Sequence, residues 1–481
     1  MAELPRVPSA SAPVSATRIE KDFLGEREVP ADAYYGVQTL RGRDNFHITG
    51  IPMSLEPCFV RAFGYVKKAA ALANRDLGVV DAKVADAIAA ACDKLIAGGM
   101  REQFVTDFIQ GGAGTSTNMN ANEVIANLAL EMLGYKKGEY QYVSPNDHVN
   151  FGQSTNDVYP TAFRLALILR LADYIGALNR LQQAFFVKAK EFGQVLKMGR
   201  THLQDAVPMS LGQEFHGWGT TIGEEIQRIS EAVKLLHEIN LGATAIGTTV
   251  TAAPGYPELA TKYLSELTGT QFILAGDLIE ATSDTGAYVT VSGILKRTSA
   301  KLTKICNDIR LLASGPRCGL NEINLPQMQP GSSIMPGKVN PVMPEVVNQV
   351  GFLVIGLDLT VTLAASAGQL QLNVMEPVIT FALFTSISTM ENAVNSLRAH
   401  CIEGITANTE RTRDMVLNSL GIVTLLKPAL GYKQCAEIAR EGYLTGKSLH
   451  DIVVVERRLM TQEHWDQTFS FENLISPKFE Q

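Results

Sequence analysis

The stretch VVNQVGFLVIGLDLTVTLAA, Val346 to Ala365, is apolar around most of the circumference of a helix. A helix with that pattern is buried on all sides. The apolar residues between Val291 and Leu312 also step by threes and fours, which is one face of a helix. Similar stripes occupy Phe163 to Leu181, Leu211 to Ile239 and Ile379 to Leu397. Five long helices in one block predict a central bundle.

The stripes by themselves indicate core packing, the usual role of apolar side chains. A bundle of this length nevertheless has more apolar surface than one layer of partners within the chain can cover. We therefore expect the central bundle to pack against copies of itself, as symmetric oligomers do.

The segments on either side of the bundle have a different pattern. The N-terminal part mixes turns with helical patches at Phe59 to Leu77 and Ala82 to Leu95, and the C-terminal part has turn signals at Lys427-Pro428 and Gly431. We predict a mainly all-α chain with a small helical C-terminal domain. The predicted division is a flexible tail over 1–17, an N-terminal domain over 18–155, a central bundle over 156–408 and the C-terminal domain over 409–481.

The composition excludes several classes of protein. The 481 residues include 42 Lys and Arg against 49 Asp and Glu, so no general basic surface is available for nucleic acid. Six scattered cysteines without a Cys-x-x-Cys pair predict neither a zinc site nor a disulfide framework, which fits a reducing cytoplasm. The first residues lack the features of a secretory signal, and no uninterrupted apolar stretch is long enough to span a bilayer. We expect a soluble, cytoplasmic protein without membrane or nucleic-acid partners.

The loop GSSIMPGKVNP, Gly331 to Pro341, has the glycines, serines and lysine of a loop that binds an anion. It is not a nucleotide-binding phosphate loop, because five residues separate its two glycines and Val339 follows Lys338 in place of Ser or Thr. Ser332 and Ser333 therefore need another explanation.

Two further stretches are rich in small polar residues and helix-start signals. In QGGAGTSTNMNANE, Gln110 to Glu123, the spacing of Asn120 and Glu123 predicts a capping box that opens the next helix. In Ser144 to Ala162, Pro160 suits the first turn of a helix and Asn156 or Asp157 suits its cap. Ser154, Thr155 and Asn156 would then lie at a positive helix terminus, which favours a carboxylate.

A fourth stretch, Met198 to Phe215, places His202 beside Thr201 in a polar turn ahead of a long helix. A lone histidine is more often structural than catalytic. No histidine pair and no Asp or Glu cluster has the spacing of metal ligands, so no metal site is predicted. Taken together, the four stretches offer hydroxyls, amides, an imidazole and an ammonium, which can bind a small dicarboxylate without a metal.

These stretches, in this order, resemble the aspartase/fumarase superfamily along nearly the whole chain. GSSIMPGKVNP looks like the signature loop of that superfamily. DFLGEREVPADAYYGVQT, residues 22–39, QGGAGTSTNMN and AGQLQLNVMEPV, Ala367 to Val378, are most similar to the branch that releases ammonia from L-aspartate. Two alternatives remain: a fumarase, which shares the carboxylate-binding residues, and a helical scaffold without activity.

The resemblance implies a three-domain subunit and a homotetramer built around a twenty-helix core, with active sites shared by three subunits. It implies a reversible anti-elimination that converts L-aspartate to fumarate and ammonia through an aci-carboxylate intermediate. No cofactor is required. Activation by Mg²⁺ occurs within the family, but the sequence shows no ligand cluster that would locate the ion.

The resemblance also implies a role for each site residue. Ser332 is the general base, which needs backbone N–H groups to stabilise its oxyanion. The implied binding residues for the β-carboxylate of the substrate are Thr115, Ser154, Thr155 and Ser333, and those for its α-carboxylate are Thr201, Lys338 and Asn340. Asn156 and His202 would bind the amino group. Glu345 would be the acidic partner of His202.

Overall fold

The computed structural model describes residues 16–475, and within them the chain is mainly helical. The predicted tail lies outside the described residues except for its last two, and Thr17 begins the first strand. The helices are α1 (Val37–Asn45), α2 (Pro57–Asp76), α3 (Ala82–Ile96), α4 (Thr115–Met132), α5 (Thr155–Glu191), α6 (Leu211–Val233), α7 (Tyr256–Thr268), α8 (Leu278–Ser283), α9 (Gly286–Leu312), α10 (Val342–Ser366), α11 (Glu376–His400), α12 (Thr409–Leu417), α13 (Lys427–Thr445), α14 (Gln462–Thr468) and α15 (Phe471–Leu474).

The described strands form short two-stranded pairs. Three pairs are antiparallel and one, β5 with β6, is parallel. The strands are β1 (Thr17–Asp22) with β2 (Gly25–Pro30), β3 (Leu196–Thr201) with β4 (Gln204–Ser210), β5 (Glu238–Ile239) with β6 (Ile273–Leu274) and β7 (Ile323–Asn324) with β8 (Thr406–Ala407).

The five predicted long helices are confirmed as α5, α6, α9, α10 and α11, although α6 ends at Val233 and the predicted stripe runs on to Ile239, which lies in β5. Their paired contacts show the directions in which they run. Gln182 contacts Gly219 while Phe186 contacts His216, so α5 and α6 are antiparallel. Tyr159 contacts Thr380 and Tyr174 contacts Met390, so α5 and α11 are parallel. By the same reasoning α9 and α10 are antiparallel, since their contacts include Ser292 with Asp358 and Asn307 with Asn348.

Contacts divide the chain into two compact units. Within the described residues, the first comprises 16–173, 229–296 and 354–388, and the second comprises 174–228, 297–353 and 389–475. Each boundary falls inside one of the five long helices, so both units contain parts of all five. The division into N-terminal, central and C-terminal domains stays a prediction.

The first unit has an aromatic core in which α2, α5 and α11 meet. The ring of Phe59 lies 5.2 Å from that of Tyr159 and 5.6 Å from that of Phe384, and Phe163 lies 5.4 Å from Phe384. These side chains are buried. They fix the N-terminal turns of α5, which carry predicted site residues.

The C-terminal helices share a hydrophobic core with the strand β3, whose Met198 is one of its buried residues. Ile422, Leu426, Ile438, Ile452 and Trp465 are among its buried members. Gly431, predicted as a turn, has φ 73° and interrupts α13 with a left-handed residue, while Lys427 begins that helix. The region is helical as predicted, and its standing as a small separate domain stays a prediction.

The helix α10 is long and apolar enough to cross a membrane by length and composition alone. Polar residues interrupt its apolar run at Asn348, Gln349 and Asp358. Several of its large apolar side chains are exposed in the single chain, including Phe352, Leu359 and Leu363, each about three-fifths exposed.

Candidate active site

The loop from Gly331 to Pro341 positions Ser332 in front of two backbone donors. Ser332 Oγ accepts hydrogen bonds from the N–H groups of Ile334, at 3.2 Å, and Met335, at 2.9 Å. An oxygen in such a nest is stabilised when it carries negative charge. The arrangement therefore supplies the backbone donors that a serine base requires.

The same loop closes on itself through Gly331. The Gly331 N–H donates to Lys338 O at 2.7 Å, and Asn340 Nδ2 donates to Gly331 O at 2.7 Å. A Cβ atom on Gly331 would lie 2.7 Å from Lys338 O, so only glycine permits this approach. Ser333 and Lys338 are exposed.

The start of α5 differs from the predicted cap. The helix begins at Thr155, and Ser154 caps it: Ser154 Oγ accepts from Asn156 N at 3.3 Å, while Ser154 N donates to Asp157 Oδ1 at 3.0 Å. This is the reciprocal arrangement of a capping box with Asp at the third position. The prediction of Asn156 or Asp157 as the cap was therefore wrong by two or three residues.

Asp157 also binds a neighbouring turn. Its Oδ2 accepts from Gly242 N at 2.9 Å and Thr244 N at 3.0 Å. Burial raises the pKa of Asp157 to about 6, although these backbone N–H groups and the charge of Lys67 favour the ionised form. The Asp157 carboxylate thus stabilises the start of the helix. The side chains of Ser154, Thr155 and Asn156 stay available for a ligand.

Pro160 lies in the second turn of α5 and not in the first, as the sequence predicted. Proline has no N–H, so the carbonyl of Asn156 loses its helical partner. Asn240 Nδ2 supplies a donor in its place, 3.1 Å from Asn156 O. Asn156 Nδ2 donates to Ala245 O at 2.6 Å, which fixes the orientation of its amide.

The helix α4 begins at Thr115, five residues before the predicted capping box. Asn120 and Glu123 are buried inside that helix, where Asn120 binds Val105 N and Glu123 accepts from Gly36 N and Gln38 N. The capping-box prediction was therefore wrong: these side chains bind neighbouring segments. Thr115 itself is exposed and donates from Oγ1 to Gly112 O at 2.7 Å.

His202 lies at the tip of the hairpin that joins β3 to β4. The two turn residues, His202 and Leu203, have φ of 54° and 62°. Two-residue hairpin turns of the favoured type need a positive φ at both positions, which is costly for residues other than glycine. Backbone strain of this kind concentrates at functional sites. The predicted polar turn is confirmed, and both Thr201 and His202 are exposed.

Buried ion pairs hold the strand that leads to His202. Glu322, which is fully buried, pairs with Lys197 at 3.2 Å and with Arg200 at 2.5 Å, and Lys197 also pairs with Glu214. The sequence alone does not reveal these pairs. Two cations three residues apart on a short strand do not indicate which acid they bind, because Glu322 follows more than a hundred residues later.

The structure gathers the predicted residues into separate groups. Thr115, Ser154, Thr155 and Asn156 belong to the first unit, and the others belong to the second. Glu345 lies in the first turn of α10. Across residues 16–475, no hydrogen bond or ion pair of the single chain joins His202 to Glu345, and the Lys338 ammonium forms no ion pair.

The same residues include no group of three or more His, Cys, Asp or Glu that could hold a metal ion.

Two family models match this chain. One, described as lyase, matches residues 25–356, and a second, described as the C-terminus of fumarase C, matches residues 422–476. The chain belongs to the aspartase/fumarase superfamily. The resemblance inferred from the four polar stretches is thereby confirmed.

Curated relatives match over nearly the full length. The chain is 55% identical to an aspartate ammonia-lyase of Helicobacter pylori over 460 residues, covering 96% of this chain and 98% of the relative. It is 57% identical to that of Pseudomonas aeruginosa over 468 residues, covering 97% and 98%. For the Escherichia coli relative the identity is 56% over 463 residues, covering 96% and 97%.

Solved structures of the superfamily share the fold. A fumarate lyase:delta crystallin from Brucella melitensis bound to cobalt has a TM-score of 0.92 at 50% identity, covering 95% of this chain and 99% of that chain. A class II fumarase from Schistosoma mansoni has a TM-score of 0.90 at 34% identity, covering 96% and 100%. The mainly helical fold class predicted from the sequence is confirmed.

Proposed function

We propose that this chain is an aspartate ammonia-lyase, which converts L-aspartate reversibly to fumarate and ammonia. Identities of 55% to 57% with curated enzymes of that name, over nearly the full length, support this carbon-nitrogen lyase reaction. The observation that carries the mechanism is the pair of backbone N–H groups on Ser332 Oγ. They favour the oxyanion that would remove a proton from Cβ.

Removal of that proton places negative charge on the β-carboxylate, which becomes an aci-carboxylate. Preorganised donors that meet such charge are the main means of stabilising it. Thr115, Ser154, Thr155 and Ser333 would bind the β-carboxylate. Ser154 and Thr155 suit this role because each hydroxyl already accepts a hydrogen bond from the protein, so its own proton is available.

The remaining residues would hold the other end of the substrate. Lys338, with its exposed ammonium, would pair with the α-carboxylate together with Thr201 and Asn340. The amino group would contact Asn156 Oδ1 and His202, whose partner is Glu345. Because His202 and Glu345 do not contact each other in one chain, this arrangement is consistent with active sites shared by three subunits of a homotetramer.

A fumarase, which releases water, is the second candidate, because it would use the same carboxylate-binding residues. The identity to the fumarase structure is 34%, well below the values for the ammonia-lyases, and this difference favours release of ammonia. A scaffold without activity would not need the strained turn at His202 or the nest at Ser332.

We further propose that the enzyme acts in the cytoplasm on small molecules, without nucleic-acid or membrane partners. No cofactor is required in this account. Activation by Mg²⁺ stays an expectation from the family, without an assigned site.

Ser332→Ala tests the mechanism. We expect fumarate formation from L-aspartate to fall by about a hundredfold to ten-thousandfold, the usual loss on removing a general base. Ser333→Ala is the comparison from the same loop: it removes one β-carboxylate donor and keeps the base, so it should weaken succinate binding, whereas Ser332→Ala should leave succinate binding largely intact. Retention of more than a tenth of the wild-type rate by an assembled Ser332→Ala variant would exclude Ser332 as the base. Succinate binding by the variant checks that the loop still forms.

A further inference from the structure

A cluster of amide side chains surrounds the buried Lys67 near the start of α5, within the first unit. Lys67 Nζ donates to Asn150 Oδ1 at 3.0 Å and to Gln153 Oε1 at 2.9 Å. Asn118 and Asn122, one turn apart on α4, each donate from Nδ2 to the same Asn150 Oδ1 at 3.1 Å. Asn118 Nδ2 also lies 3.3 Å from Thr155 Oγ1.

The direction of each hydrogen bond in this cluster follows from Lys67 and from the backbone carbonyl of Gln153. A charged Lys67 can only donate and Gln153 O can only accept, so Asn150 presents its Oδ1 to Lys67 and its Nδ2, at 3.2 Å, to that carbonyl. Asn118 must then present its NH₂ group to Asn150 Oδ1.

It follows that Thr155 Oγ1 accepts the hydrogen bond from Asn118 and keeps its own proton free. A helical threonine often donates that proton to a carbonyl one turn earlier. Here Phe151 O, four residues earlier, already accepts from Asn74 Nδ2 at 2.9 Å and from Gln153 Nε2 at 3.2 Å. Within residues 16–475 the Thr155 hydroxyl donates to no protein acceptor, and its one side-chain hydrogen bond is the one that it accepts from Asn118.

We propose that Asn118 is a positioning residue that keeps the Thr155 hydroxyl oriented as a hydrogen-bond donor toward a carboxylate of the substrate. This inference rests on the proposed function, in which Thr155 binds the β-carboxylate. Asn118 acts through Thr155 and does not itself contact the substrate. The orientation is set before the substrate binds, which is what stabilisation of a developing charge requires.

Asn122 provides a matched control. It is buried like Asn118, it donates to the same oxygen of Asn150 at the same distance, and its own Oδ1 likewise has no partner. Its other donor contact is to Met119 Sδ, at 3.4 Å, and not to Thr155. A substitution that acts through Asn150 or through folding should therefore have the same effect at position 118 and at position 122. A substitution that acts through Thr155 should have an effect only at position 118.

The test is a double-mutant cycle with Asn118→Asp, Asn122→Asp and Thr155→Val. A carboxylate at position 118 can only accept, so the Thr155 proton would turn toward it. We expect Asn118→Asp to lower kcat/KM for L-aspartate and the affinity for succinate by about tenfold, comparable to the loss of one hydrogen bond to a charged group. Asn122→Asp should change both by less than about threefold. In the Thr155→Val background, Asn118→Asp should cause little further loss.

The proposal is overturned if Asn118→Asp costs as much with Thr155→Val as without it, because the new charge would then act directly on the ligand. Equal losses for Asn118→Asp and Asn122→Asp would also overturn it. If Asn118→Asp does not assemble, Asn118→Leu takes its place in the same cycle. A wild-type protein that binds succinate but forms no fumarate from L-aspartate would refute the proposed function, while the succinate cycle would still decide the role of Asn118.

Discussion

The hydroxyl groups of the candidate site differ in whether they already accept a hydrogen bond from the protein. The Ser332 hydroxyl accepts two hydrogen bonds, and the hydroxyls of Ser154 and Thr155 accept one each. The Thr115 hydroxyl instead donates its proton to Gly112 O. A hydroxyl has one proton and two lone pairs, so an accepted bond leaves the proton for a ligand. Thr115 must turn before it can donate to a carboxylate, while Ser154 and Thr155 need not.

A pH-dependent stability is expected from Lys67. Its burial lowers the pKa from 10.5 to about 7, and the charge of Asp157 only partly opposes this. Between about pH 7 and 10.5 the unfolded chain binds a proton that the folded chain does not, so the stability contributed by this group rises with pH, by up to about 1.4 kcal/mol per unit. Below pH 7 both states bind the proton, and the slope from Lys67 vanishes.

Lys67→Met isolates that contribution, because methionine fills a similar volume without a titrating group. Denaturant unfolding of both proteins from pH 6 to 10 gives the difference in the free energy of unfolding. The difference should be constant near pH 6 and should then change steadily in favour of the wild type above pH 7. A difference that is flat up to pH 10 would mean that the folded protein keeps Lys67 charged throughout.

At the scale of elements, α5 contains a proline in its second turn without a break. The carbonyl that Pro160 leaves without a helical donor, Asn156 O, is bound by Asn240, and Asn240 also contacts Thr282 Oγ1 at 3.2 Å. The helix start that presents Ser154, Thr155 and Asn156 is therefore held by two external contacts, Asn240 on this carbonyl and the Asp157 carboxylate on the turn at Gly242.

Asn240→Ala should lower the free energy of unfolding by about 1–3 kcal/mol, because it leaves a buried carbonyl without a donor. Pro160→Ala restores an N–H that can bind Asn156 O within the helix. We therefore expect the double variant to be more stable than Asn240→Ala alone, as measured by denaturant unfolding. If the change in unfolding free energy of the double variant equals the sum of the changes in the two single variants, Pro160 and Asn240 are not coupled in this way.

The sequence predicts the long helices well and the helix starts poorly. The period of apolar residues locates α5, α6, α9, α10 and α11, because burial of one face imposes that spacing. A start depends on individual side chains, and these have other available partners. Asn120 and Glu123 have the spacing of a cap, yet both are occupied by segments distant in the sequence. The two strands around His202 were likewise missed, since a six-residue strand with a bulge has no clear alternation.

At the scale of the whole molecule, α10 leaves Phe352, Leu359 and Leu363 exposed along one face of the single chain. Exposed apolar patches of this kind mark interaction surfaces. The sequence predicts packing between copies here, and that packing stays a prediction. It would also bring site residues of different chains together, which the single chain does not do for His202 and Glu345.

Mixing two inactive variants tests the shared site. His202→Ala and Lys338→Ala each remove a residue proposed for the same substrate molecule. If these residues come from different subunits, random mixed tetramers should recover up to about a quarter of the wild-type activity, since a quarter of the sites then contain both intact residues. The measurement is fumarate formation after joint refolding, with mixed assembly verified by native mass. No recovery in verified mixed tetramers would argue that one chain supplies both residues.

The most direct test of the central claim compares substrates of the wild-type protein. L-Aspartate has an amino group where L-malate has a hydroxyl. A site built to bind one such group typically has a kcat/KM for the other compound that is lower by up to about 10⁴- to 10⁵-fold. The formation of fumarate is followed by ultraviolet absorbance at equal concentrations of L-aspartate, D-aspartate and L-malate near pH 8. We expect fumarate from L-aspartate and little or none from the other two. Faster formation of fumarate from L-malate than from L-aspartate would contradict it and would identify a fumarase.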